Sequence, residues 1–418
     1  MKALVIDRDL ARFGAARLAS SLRSGGGARV GPLQLDELDE PKLPGPDWVR
    51  LRPRLSGICG SDLATVDGRS SRWFEPIVSF PFTPGHEVVA DDPDGGRVVV
   101  EPVLGCVARG LDPVCVACAQ GRLGNCEHLT HGCVDAGLQT GYCCDTGGGW
   151  SEQMIAHPSQ IHAVPDELDD RAAVMIEPTA CAVHAALSAQ VQTEETVALI
   201  GAGTLGLLTI AALDRWSRPH RLIVAAKYPH QRSLAHGLSS RSRSSGRTVT
   251  CEPDGLARAV RRTVGTQMVS PQTPGADDRL TGGADVTIDC VGNAESIRSA
   301  LAVTRPGGRI IMVGMPGVET IDLTPLWQRE ISLTGAYAYG TETVDGQRFR
   351  TFDLAAELVA AADLGRLVSA TYALPRYADA IAHAGSAGRR GAVKIAFDLR
   401  DPDHPATPTL PPRKAARR

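Results

Sequence analysis

Four closely spaced cysteines place the strongest constraint on what this chain can fold into. Cys106, Cys115, Cys118 and Cys126 follow one another with the spacing C-x8-C-x2-C-x7-C. Two thiolates separated by two residues can bind one ion from a tight turn, and the outer pair can complete a tetrahedral shell. The 418-residue chain shows no recognisable signal peptide and is too long for a small disulfide framework. The spacing therefore predicts a closed, structural zinc site over residues 106–126.

A second set of metal-binding residue types comes from distant parts of the sequence. Cys59 lies in SGICGSD, His86 and Glu87 lie in TPGHEVVA, and Glu177 lies in MIEPTACAVHA. A thiolate, an imidazole and a carboxylate leave one position open on a zinc ion, as a catalytic site requires. Each residue alone has an ordinary explanation, because single cysteines are often buried apolar residues and Glu-Pro often opens a helix. Only the set as a whole favours a catalytic metal.

From Thr196 onward, strand and helix patterns alternate, which is typical of a parallel sheet. The apolar strand VALIG leads into GAGTLG at 201–206, and a helix pattern follows. In this context Gly201 permits the tight turn, Gly203 lets the backbone approach a pyrophosphate, and Gly206 allows close packing of helix and strand. The backbone N–H groups around Thr204 and Leu205, at the helix N-terminus, would face the phosphates. The motif predicts a dinucleotide site.

The segment after the second strand bears on the choice of cofactor. NAD-binding enzymes usually place an acidic residue about 20 residues beyond the glycines, where it binds the ribose hydroxyls. This chain has AAKYPHQR at 225–232, with no carboxylate but with Lys227, His230 and Arg232. Cations at this position can neutralise a 2′-phosphate, so the sequence favours NADP over NAD. The alternative is that they form an ordinary solvated surface.

Taken in order, these motifs resemble the zinc-dependent medium-chain dehydrogenases, the superfamily of alcohol, sorbitol, threonine and glucose dehydrogenases. The resemblance covers residues 1 to about 400. It rests on CGSD at 59–62, PGHE at 84–87, the four cysteines, EP at 177–178, GAGTLG at 201–206, ADVTIDCVG at 284–292 and PGGRIIMVG at 306–314.

The resemblance implies an α/β plus β fold with two domains. A GroES-like β-barrel catalytic domain would cover 1–178 and 337–400 and carry the zinc lobe at 106–126. A doubly wound Rossmann domain would cover 179–336, and a Pro-rich, basic tail at 401–418 is expected to be disordered. Near the N-terminus, KALVID and PLQLDEL are expected to pair, separated by an Arg-, Ala-, Ser- and Gly-rich insertion over 8–31 that ends in a flexible loop.

For chemistry, the resemblance implies transfer of a hydride from an alcohol to NAD(P), giving the carbonyl. Cys59, His86 and an acidic residue would hold the zinc ion, which favours loss of the substrate's hydroxyl proton. Ser61 is placed like the hydroxyl that relays this proton. Asp62 would orient His86 through a hydrogen bond, or it would simply cap the following helix. Whether Glu87, Glu177 or both bind the metal stays open.

The sequence also departs from the family pattern. The interval between Cys106 and Cys115 is longer than the usual two residues, and Asp112 stands at the usual spacing, so the role of Cys106 as fourth ligand is open. Some relatives carry a relay histidine shortly after the catalytic cysteine, whereas this chain has Leu63, Ala64 and Thr65. The proton is then expected to leave through Ser61, cofactor hydroxyls or water. An acid at 177 resembles the polyol, threonine and glucose branch, so the expected substrate is a polyol, sugar or amino-alcohol.

Composition limits the class of protein. Hydrophobic residues make up 43% of the chain and the formal charge is -3, which gives no reason to expect nucleic acid or an acidic membrane as a partner. Eleven cysteines favour a reducing compartment, and we expect a cytoplasmic enzyme that forms a homodimer or homotetramer and acts on a small molecule. Two alternatives are a zinc-free quinone or enone reductase of the same superfamily and a non-enzymatic zinc-binding interaction module.

Overall fold

The structure is a computed structural model that describes residues 1–239, 248–270, 272 and 278–400 and a short strand at Thr407–Pro408. Its strands are β1 Lys2–Ile6, β2 Leu33–Glu37, β3 Val49–Gly57, β4 Val88–Asp91, β5 Arg97–Val100, β6 Met154–Ala156, β7 Ile161–Ala163, β8 Thr196–Ile200, β9 Arg221–Ala225, β10 Thr248–Cys251, β11 Met268–Val269, β12 Arg279–Leu280, β13 Ala284–Asp289, β14 Thr304–Met312, β15 Ser332–Gly335, β16 Thr341–Val344, β17 Gln347–Arg350, β18 Val368–Ala373, β19 Lys394–Asp398 and β20 Thr407–Pro408.

The α-helices of the described residues are α1 Leu10–Leu22, α2 Gly60–Val66, α3 Val116–Ala119, α4 Asp170–Ala173, α5 Ile176–Ser188, α6 Thr204–Ala212, α7 Pro229–Ser239, α8 Leu256–Val264, α9 Ala294–Val303, α10 Thr324–Gln328, α11 Thr351–Ala362 and α12 Tyr377–Ala384. The chain forms two compact units. The first unit comprises residues 1–119, 125–177 and the chain from 365 onward; the second comprises 120–124 and 178–364.

The first unit is built on a mainly antiparallel sheet with strand order β20-β18-β19-β3-β4-β5-β7, and β6 pairs with β3. Its short strands alternate with turns rich in Gly, Pro and Asp, which is typical of a barrel-like β domain. β3 is central because it pairs with β4, β6 and β19. Trp150 and Phe397 are fully buried in its core and contact each other edge to face. As predicted, β1 and β2 pair antiparallel.

The second unit contains a six-stranded parallel sheet with the order β10-β9-β8-β13-β14-β15. β8 is buried along its whole length, as its β-branched and apolar sequence TVALI requires of a strand covered on both faces. The strand order reverses between β8 and β13, and ligands of doubly wound sheets bind outside the carboxyl ends of strands at such a switch point. The doubly wound architecture expected from the sequence is confirmed.

The division of the chain differs in detail from the expected one. The second unit extends to Leu364 and takes in 120–124, whereas the sequence indicated a return to the first domain at 337. Local hydrogen bonds explain the difference. Thr341 N donates to Gly121 O at 2.9 Å, and Thr351 N donates to Gly340 O at 2.9 Å, so β16, β17 and α11 are tied into the second unit. Apart from Thr407–Pro408, the tail expected to be disordered lies outside the described residues.

Candidate metal and nucleotide sites

Cys59, His86 and Glu87 come together in the first unit. Each offers a ligand atom, and these atoms all lie within 4.8 Å of one another. β3 delivers Cys59 to the start of α2, and His86 and Glu87 directly precede β4, the antiparallel neighbour of β3. His86 is 4% exposed and Glu87 is 1% exposed, so both side chains are shielded from solvent. The pairing of β3 with β4 therefore assembles three donors that are distant in sequence.

Asp62 lies behind this group and contacts two of its members. Its Oδ2 accepts a hydrogen bond from Cys59 N at 2.9 Å, as expected of an acidic residue in the first turn of α2. Its Oδ1 lies 3.4 Å from His86 Nδ1, which leaves the other ring nitrogen for a metal. Burial lowers the pKa of His86, but the charges of Asp62 and Cys59 outweigh it and hold this pKa well above its ordinary value. The two interpretations of Asp62, helix cap and partner of His86, therefore both describe its position.

Sequence reasoning missed a buried lysine at this site. Lys394, on β19, is 2% exposed, forms an ion pair with Glu87 and donates from Nζ to Ile58 O at 3.2 Å. Burial lowers the pKa of Lys394, but Glu87, Cys59 and Glu177 raise it overall, so the amine is protonated at neutral pH. Gly57 makes this packing possible because a Cβ there would lie 1.9 Å from Glu87 Oε2 and 2.8 Å from Lys394 Cε. A cation inside a metal-ligand cluster has no motif of its own and was not predictable from spacing.

Glu177 lies close to this group without being one of the three clustered donors. It sits in the first turn of α5, is 6% exposed, and is near enough to raise the pKa of Lys394. At this site, the donor atoms within 4.8 Å of one another belong to Cys59, His86 and Glu87, and Glu177 is not in the group. The structure thus places Glu87, rather than Glu177, nearest to the thiol and the imidazole.

The residues of this cluster fit a zinc ion. Sulfur, nitrogen and oxygen donors of the kinds found are those of zinc sites, and three protein ligands leave the fourth position to water or substrate. The three donor atoms lie within 4.8 Å of one another, as ligands of a single ion must. When bound, zinc would supply the Lewis acidity that favours loss of a hydroxyl proton.

The four cysteines of the predicted structural site also converge, and Cys106 is one of them. Their sulfur atoms lie within 4.8 Å of one another, and the Sγ atoms of Cys106 and Cys126 are 3.6 Å apart. Asp112, at the usual family spacing, is exposed and does not belong to the group. His128, which the sequence did not single out, places Nδ1 3.4 Å from Cys106 Sγ. The set S₄ fits a closed structural zinc site.

Arg109 explains how the long interval between Cys106 and Cys115 is held in place. This arginine is fully buried, and its guanidinium donates to backbone carbonyls on both sides of the cysteine lobe. The acceptors are Leu104 O at 3.1 Å, His131 O at 2.9 Å, Val134 O at 3.1 Å, Asp135 O at 3.2 Å and Gly137 O at 2.6 Å. Such a set satisfies the buried charge through its donors.

Backbone N–H groups lower the pKa of one thiol in this lobe, that of Cys115. Burial raises the pKa of Cys115, but the N–H groups of Glu127 and Cys118 point at its sulfur and bring the pKa down to about 6. Burial raises the pKa of Cys126 to about 11. A cluster with one acidic thiol and neighbours that resist ionisation must release protons when it takes up a metal.

The glycine loop of the second unit has the geometry that a dinucleotide site requires. Gly201 adopts φ +90°, and a Cβ at Gly206 would lie 1.8 Å from Gly201 O, so only glycine permits the close packing of α6 on the loop. A Cβ at Gly203 would meet nothing within 4 Å, so the open space there is not used for packing. Gly203 caps α6, which begins at Thr204 and continues through Leu205. The loop lies at the switch point between β8 and β13.

The cations expected near the ribose occupy different environments. Lys227 is exposed at the end of β9, with Nζ 6.0 Å from the centre of the Tyr228 ring, and that ring stacks on His230. Arg232 is already engaged: it donates to Ala226 O at 2.8 Å and pairs with Glu252 at 3.3 Å. Lys227 is therefore better placed than Arg232 to meet an incoming phosphate.

Comparison with known proteins agrees with this arrangement. Residues 45–166 match the family described as alcohol dehydrogenase GroES-like domain, and residues 254–357 match the family described as zinc-binding dehydrogenase. A sorbitol dehydrogenase of Arabidopsis thaliana is 27% identical over 307 residues, which are 71% of this chain and 75% of the relative. An L-threonine 3-dehydrogenase of Streptomyces avermitilis is 28% identical over 377 residues, covering 88% and 96% of the two chains.

Solved structures show the same fold. A protein of Sinorhizobium meliloti, described as a zinc-binding dehydrogenase and bound to NADP, superposes with a TM-score of 0.63 at 22% identity over 88% of this chain and 95% of its own.

In the described part of this chain, no helix combines the length and apolar character needed to cross a bilayer. The two family matches, the GroES-like and Rossmann folds and the curated relatives together establish that the chain belongs to the zinc-dependent medium-chain dehydrogenase superfamily.

Proposed function

We propose that this protein is a zinc-dependent dehydrogenase that transfers a hydride from an alcohol to NAD(P) and gives the carbonyl. One observation carries the proposal: Cys59, His86 and Glu87 bring three different zinc donors within 4.8 Å of one another. The zinc-free reductases of the superfamily, the first alternative, lack these donors. A zinc-binding interaction module, the second alternative, would need neither this cluster nor the open glycine loop at the switch point.

The protein's own groups account for how the site would work. Cys59, His86 and Glu87 would hold the metal, with Glu177 close by as an exchangeable fourth donor. Asp62 holds Cys59 N and faces His86, so it would fix the imidazole in the orientation that ligation requires. Ser61, in the first turn of α2, would accept the proton that the substrate hydroxyl loses. The bound nicotinamide would accept the hydride.

The proposed substrate is a polyol, sugar or amino-alcohol with neighbouring hydroxyl or amino groups. Two features support this class. An acidic residue stands at 177, as in the branch that acts on such alcohols, and the relatives described above are a sorbitol and a threonine dehydrogenase. Buried carboxylates near the metal also offer hydrogen-bond acceptors for a second hydroxyl or an ammonium group.

For the cofactor we propose NADP in preference to NAD. Residues 225–232 contain no carboxylate, so nothing in that segment repels a 2′-phosphate, and Lys227 is exposed there. Lys227→Glu should lower kcat/KM for NADP while leaving that for NAD within a few-fold, because only the phosphate meets the changed charge. Arg258→Glu, on α8, serves as a charge-matched control. A Lys227→Glu enzyme with an unaltered NADP/NAD ratio would show that this lysine does not read the phosphate.

The function is tested with D-sorbitol, D-glucose and L-threonine, each with NAD and NADP, together with zinc analysis of the purified protein. We expect two zinc ions per chain and NAD(P)H formation with at least one substrate. Cys59→Ala should abolish turnover and remove one zinc, whereas Cys251→Ala, which removes another half-buried thiol, should do neither. Near-normal turnover in the Cys59→Ala variant would overturn the proposal, and a single zinc per chain would favour the alternatives.

We also propose a homo-oligomer formed through the free edge of the second unit's sheet. β15 ends the strand order, and all four of its residues are exposed. Large apolar side chains stand exposed around it, with Trp327 78%, Leu333 40% and Tyr337 45% exposed. Within the described ranges no further strand pairs with β15, and an uncovered edge with exposed apolar side chains is typical of a surface that pairs with another chain. The cytoplasmic location expected from the cysteine content stays a prediction.

A further inference from the structure

An exposed apolar ridge runs along α1, and the proposed function does not use it. Leu10, Leu18 and Leu22 are 74%, 75% and 91% exposed, and the exposed Gly14 continues the same spacing of four residues. At 3.6 residues per turn, these four positions form one row about 18 Å long on a single face of the helix. Large apolar side chains that are exposed together are typical of a surface that contacts another molecule.

α1 is held against the first unit, so the ridge has a defined position. On the inner face of the helix, the ring of Phe13 lies edge to face with that of Phe80, at 6.5 Å between centres. The loop that follows the helix is fixed by the buried carboxylate of Asp67, which accepts from Gly25 N at 2.9 Å and Gly27 N at 3.1 Å. A helix that is already ordered loses little entropy when a partner covers it.

An open groove of about 780 Å³ lies at the N-terminal end of the ridge. It is lined by residues 7–12 together with Gln34, Phe80 and Pro81. Apolar side chains and carboxylates therefore stand side by side in it. Because Leu10 belongs to both the ridge and the groove, a molecule that lies along the ridge also reaches the groove.

The two ends of this surface carry opposite charges. Near the groove, four charged side chains are joined in two ion pairs, Arg8 with Glu75 and Arg12 with Asp9. Asp7 also lines the groove, whereas Arg17 and Arg23 lie toward the other end of α1. Within the part of the chain that the structure describes, these three side chains form no ion pair. An unpaired carboxylate thus stands at one end of the surface and two unpaired guanidiniums stand toward the other.

We propose that α1 pairs antiparallel with α1 of a second copy of this chain, about a twofold axis. A contact of this kind uses the same surface twice, so the surface must complement itself. α1 does so in one register, in which Leu10 faces the partner's Leu22 and Gly14 faces the partner's Leu18. The surface lies in the first unit and shares no residue with the β15 edge, so the two contacts together would give a homotetramer.

Gly14 has a role in this pairing that it lacks within its own chain. A Cβ at this position would meet nothing within 4 Å, so no neighbouring group requires a glycine there. A glycine in the middle of a helix is destabilising relative to alanine. The gap that it leaves on the outer face is the space that the partner's Leu18 fills.

The groove and the charges complete the contact at each end. In the same register the partner's Leu22 lies at the groove, beside Phe80 and Pro81, and loses its exposed surface there. The partner's Arg23 then lies near Asp7, so opposite charges meet at both ends of the helix pair. The groove also extends the contact beyond the helix itself.

A second copy suits this surface better than an anionic membrane does. Helices that lie on membranes carry cations around their apolar face, and anionic lipids attract those cations. Here Asp7 and Glu75 stand at one end of the apolar ridge, where an anionic lipid would repel them. Fluid lipid also has no use for a gap at Gly14, whereas a facing helix does.

Sedimentation velocity of the full chain over a concentration series tests the pairing. Leu18→Glu should halve the mass of the assembly and raise its dissociation constant by about 10²-fold or more, because symmetry removes two buried leucines at once. The fold should persist, since Leu18 is exposed in the single chain. Leu43→Glu is the matched control, because Leu43 is an exposed leucine of the same unit outside the ridge and the groove. It should leave the mass unchanged.

Gly14→Leu distinguishes this pairing from general apolar association. The substitution enlarges the apolar face and favours the helix, so the chain should resist urea at least as well as the wild type. It also fills the gap that the partner's Leu18 needs, so the mass should fall as in Leu18→Glu. A Gly14→Leu protein that associates more strongly than the wild type would overturn the proposed register.

A charge exchange tests the antiparallel direction. Asp7→Lys and Arg23→Glu should each raise the dissociation constant by about tenfold, because symmetry changes two exposed charge pairs at once. The double variant restores opposite charges at both ends and should return to within about threefold of the wild type. Additive losses in the double variant would show that the two ends do not meet.

Two further outcomes would overturn the pairing as a whole. One is a mass that Leu18→Glu does not change. The other is flotation of the wild-type protein, but not of Leu18→Glu, with vesicles of phosphatidylcholine and phosphatidylserine while both proteins keep the same mass, which would assign the ridge to a membrane. Zinc content and dehydrogenase activity should be unaffected by these variants, because none of the residues belongs to the proposed site. Loss of the pairing therefore leaves the proposed function standing.

Discussion

Replacing Lys394 by methionine tests the electrostatics of the proposed metal site. The substitution keeps the length of the side chain and removes the one ammonium that pairs with Glu87. Both partners are buried, at 2% and 1% exposure, so water cannot take the place of the lost cation. In the metal-free protein the Glu87 carboxylate would be left buried without its counter-charge, next to the thiol of Cys59 and near Glu177.

The magnitude follows from this burial. Breaking a buried ion pair by removing one partner costs about 3–5 kcal/mol, chiefly because the remaining charge stays desolvated. Lys394→Met should therefore reduce the free energy of unfolding of the metal-free protein by about that amount. In the zinc-loaded protein the metal supplies positive charge to Glu87, so the loss should fall below about 2 kcal/mol. The two losses differ by at least about 1 kcal/mol, so by linkage the variant should bind this zinc at least about fivefold more tightly than the wild type.

Urea unfolding followed by circular dichroism, with and without a chelator, measures both losses. Zinc release to a chromophoric chelator measures the affinity, and the zinc held by the four cysteines is the internal reference. The control is the double variant Glu87→Gln with Lys394→Met, which removes both charges of the pair and should be more stable than Lys394→Met alone. The reasoning is refuted if the metal-free single variant unfolds within about 1 kcal/mol of wild type, or if the double variant is no more stable than the single one.

Three further predictions concern other parts of the molecule. Asp170 accepts from Arg54, Arg97 and Arg400, and although burial raises its pKa, these guanidiniums lower it overall. The ion pairs of Asp170 therefore stabilise the protein at pH values above 3.8, the pKa of this carboxyl in the unfolded chain, and the stabilisation is lost as pH falls through the lower pKa of the folded state. Asp170→Asn should destabilise the protein at neutral pH by about 3 kcal/mol and make its stability less dependent on pH in the acid range. Cys118→Ala should lower the melting temperature and the zinc content by one ion per chain, whereas the exposed Cys133→Ala should change neither. Trp327→Glu should shift sedimentation toward a smaller species, while Trp73→Glu, equally exposed in the first unit, should not.

The parallel sheet could be predicted because its strands have a clear local sequence pattern. VALIG, RLIVAA, DVTIDCVG and RIIMVG are short runs of β-branched and apolar residues, and they form β8, β9, β13 and β14 as expected. Strands that are buried on both faces need apolar residues at every position, so a continuous apolar run indicates a buried parallel strand. The pairing of β1 with β2 was also predicted, from the apolar run KALVID and the segment PLQLDEL that returns beside it.

The insertion between those two strands was less accessible. Its Arg-, Ala-, Ser- and Gly-rich composition indicated an insertion ending in a loop, but most of it forms α1, capped by Asp9. The helix exposes Leu10 at 74%, Leu18 at 75% and Leu22 at 91%, and its inner side presents only Ala16 and the partly buried Phe13 to the core. Because the large leucines lie outside this face, the apolar pattern of the sequence does not show the amphipathic signal of a surface helix.

At the candidate site, the sequence could supply donor types but not the groups that control them. Cys59, His86 and Glu87 stand in recognisable motifs, and the four-cysteine spacing includes Cys106 despite its long interval. Lys394 and Tyr142 reach the same site only because β19 pairs with β3 and the loop before Trp150 folds against α2. Contacts between residues hundreds of positions apart leave no local pattern in a single sequence.

The charge of the site shows why such remote groups matter. Two buried carboxylates, Glu87 and Glu177, lie near the half-buried thiol of Cys59, and Asp62 adds a third buried carboxylate behind His86. Without a further cation, the metal-free protein would have to bury uncompensated carboxylates, at a cost of several kcal/mol. Lys394 supplies that cation from the opposite end of the chain, and Gly57 leaves the space in which it meets Glu87. The proposed ligand set therefore depends on a lysine that is not itself a ligand. Lys394 compensates the buried carboxylates in the metal-free protein, and it would compete with a bound metal for Glu87.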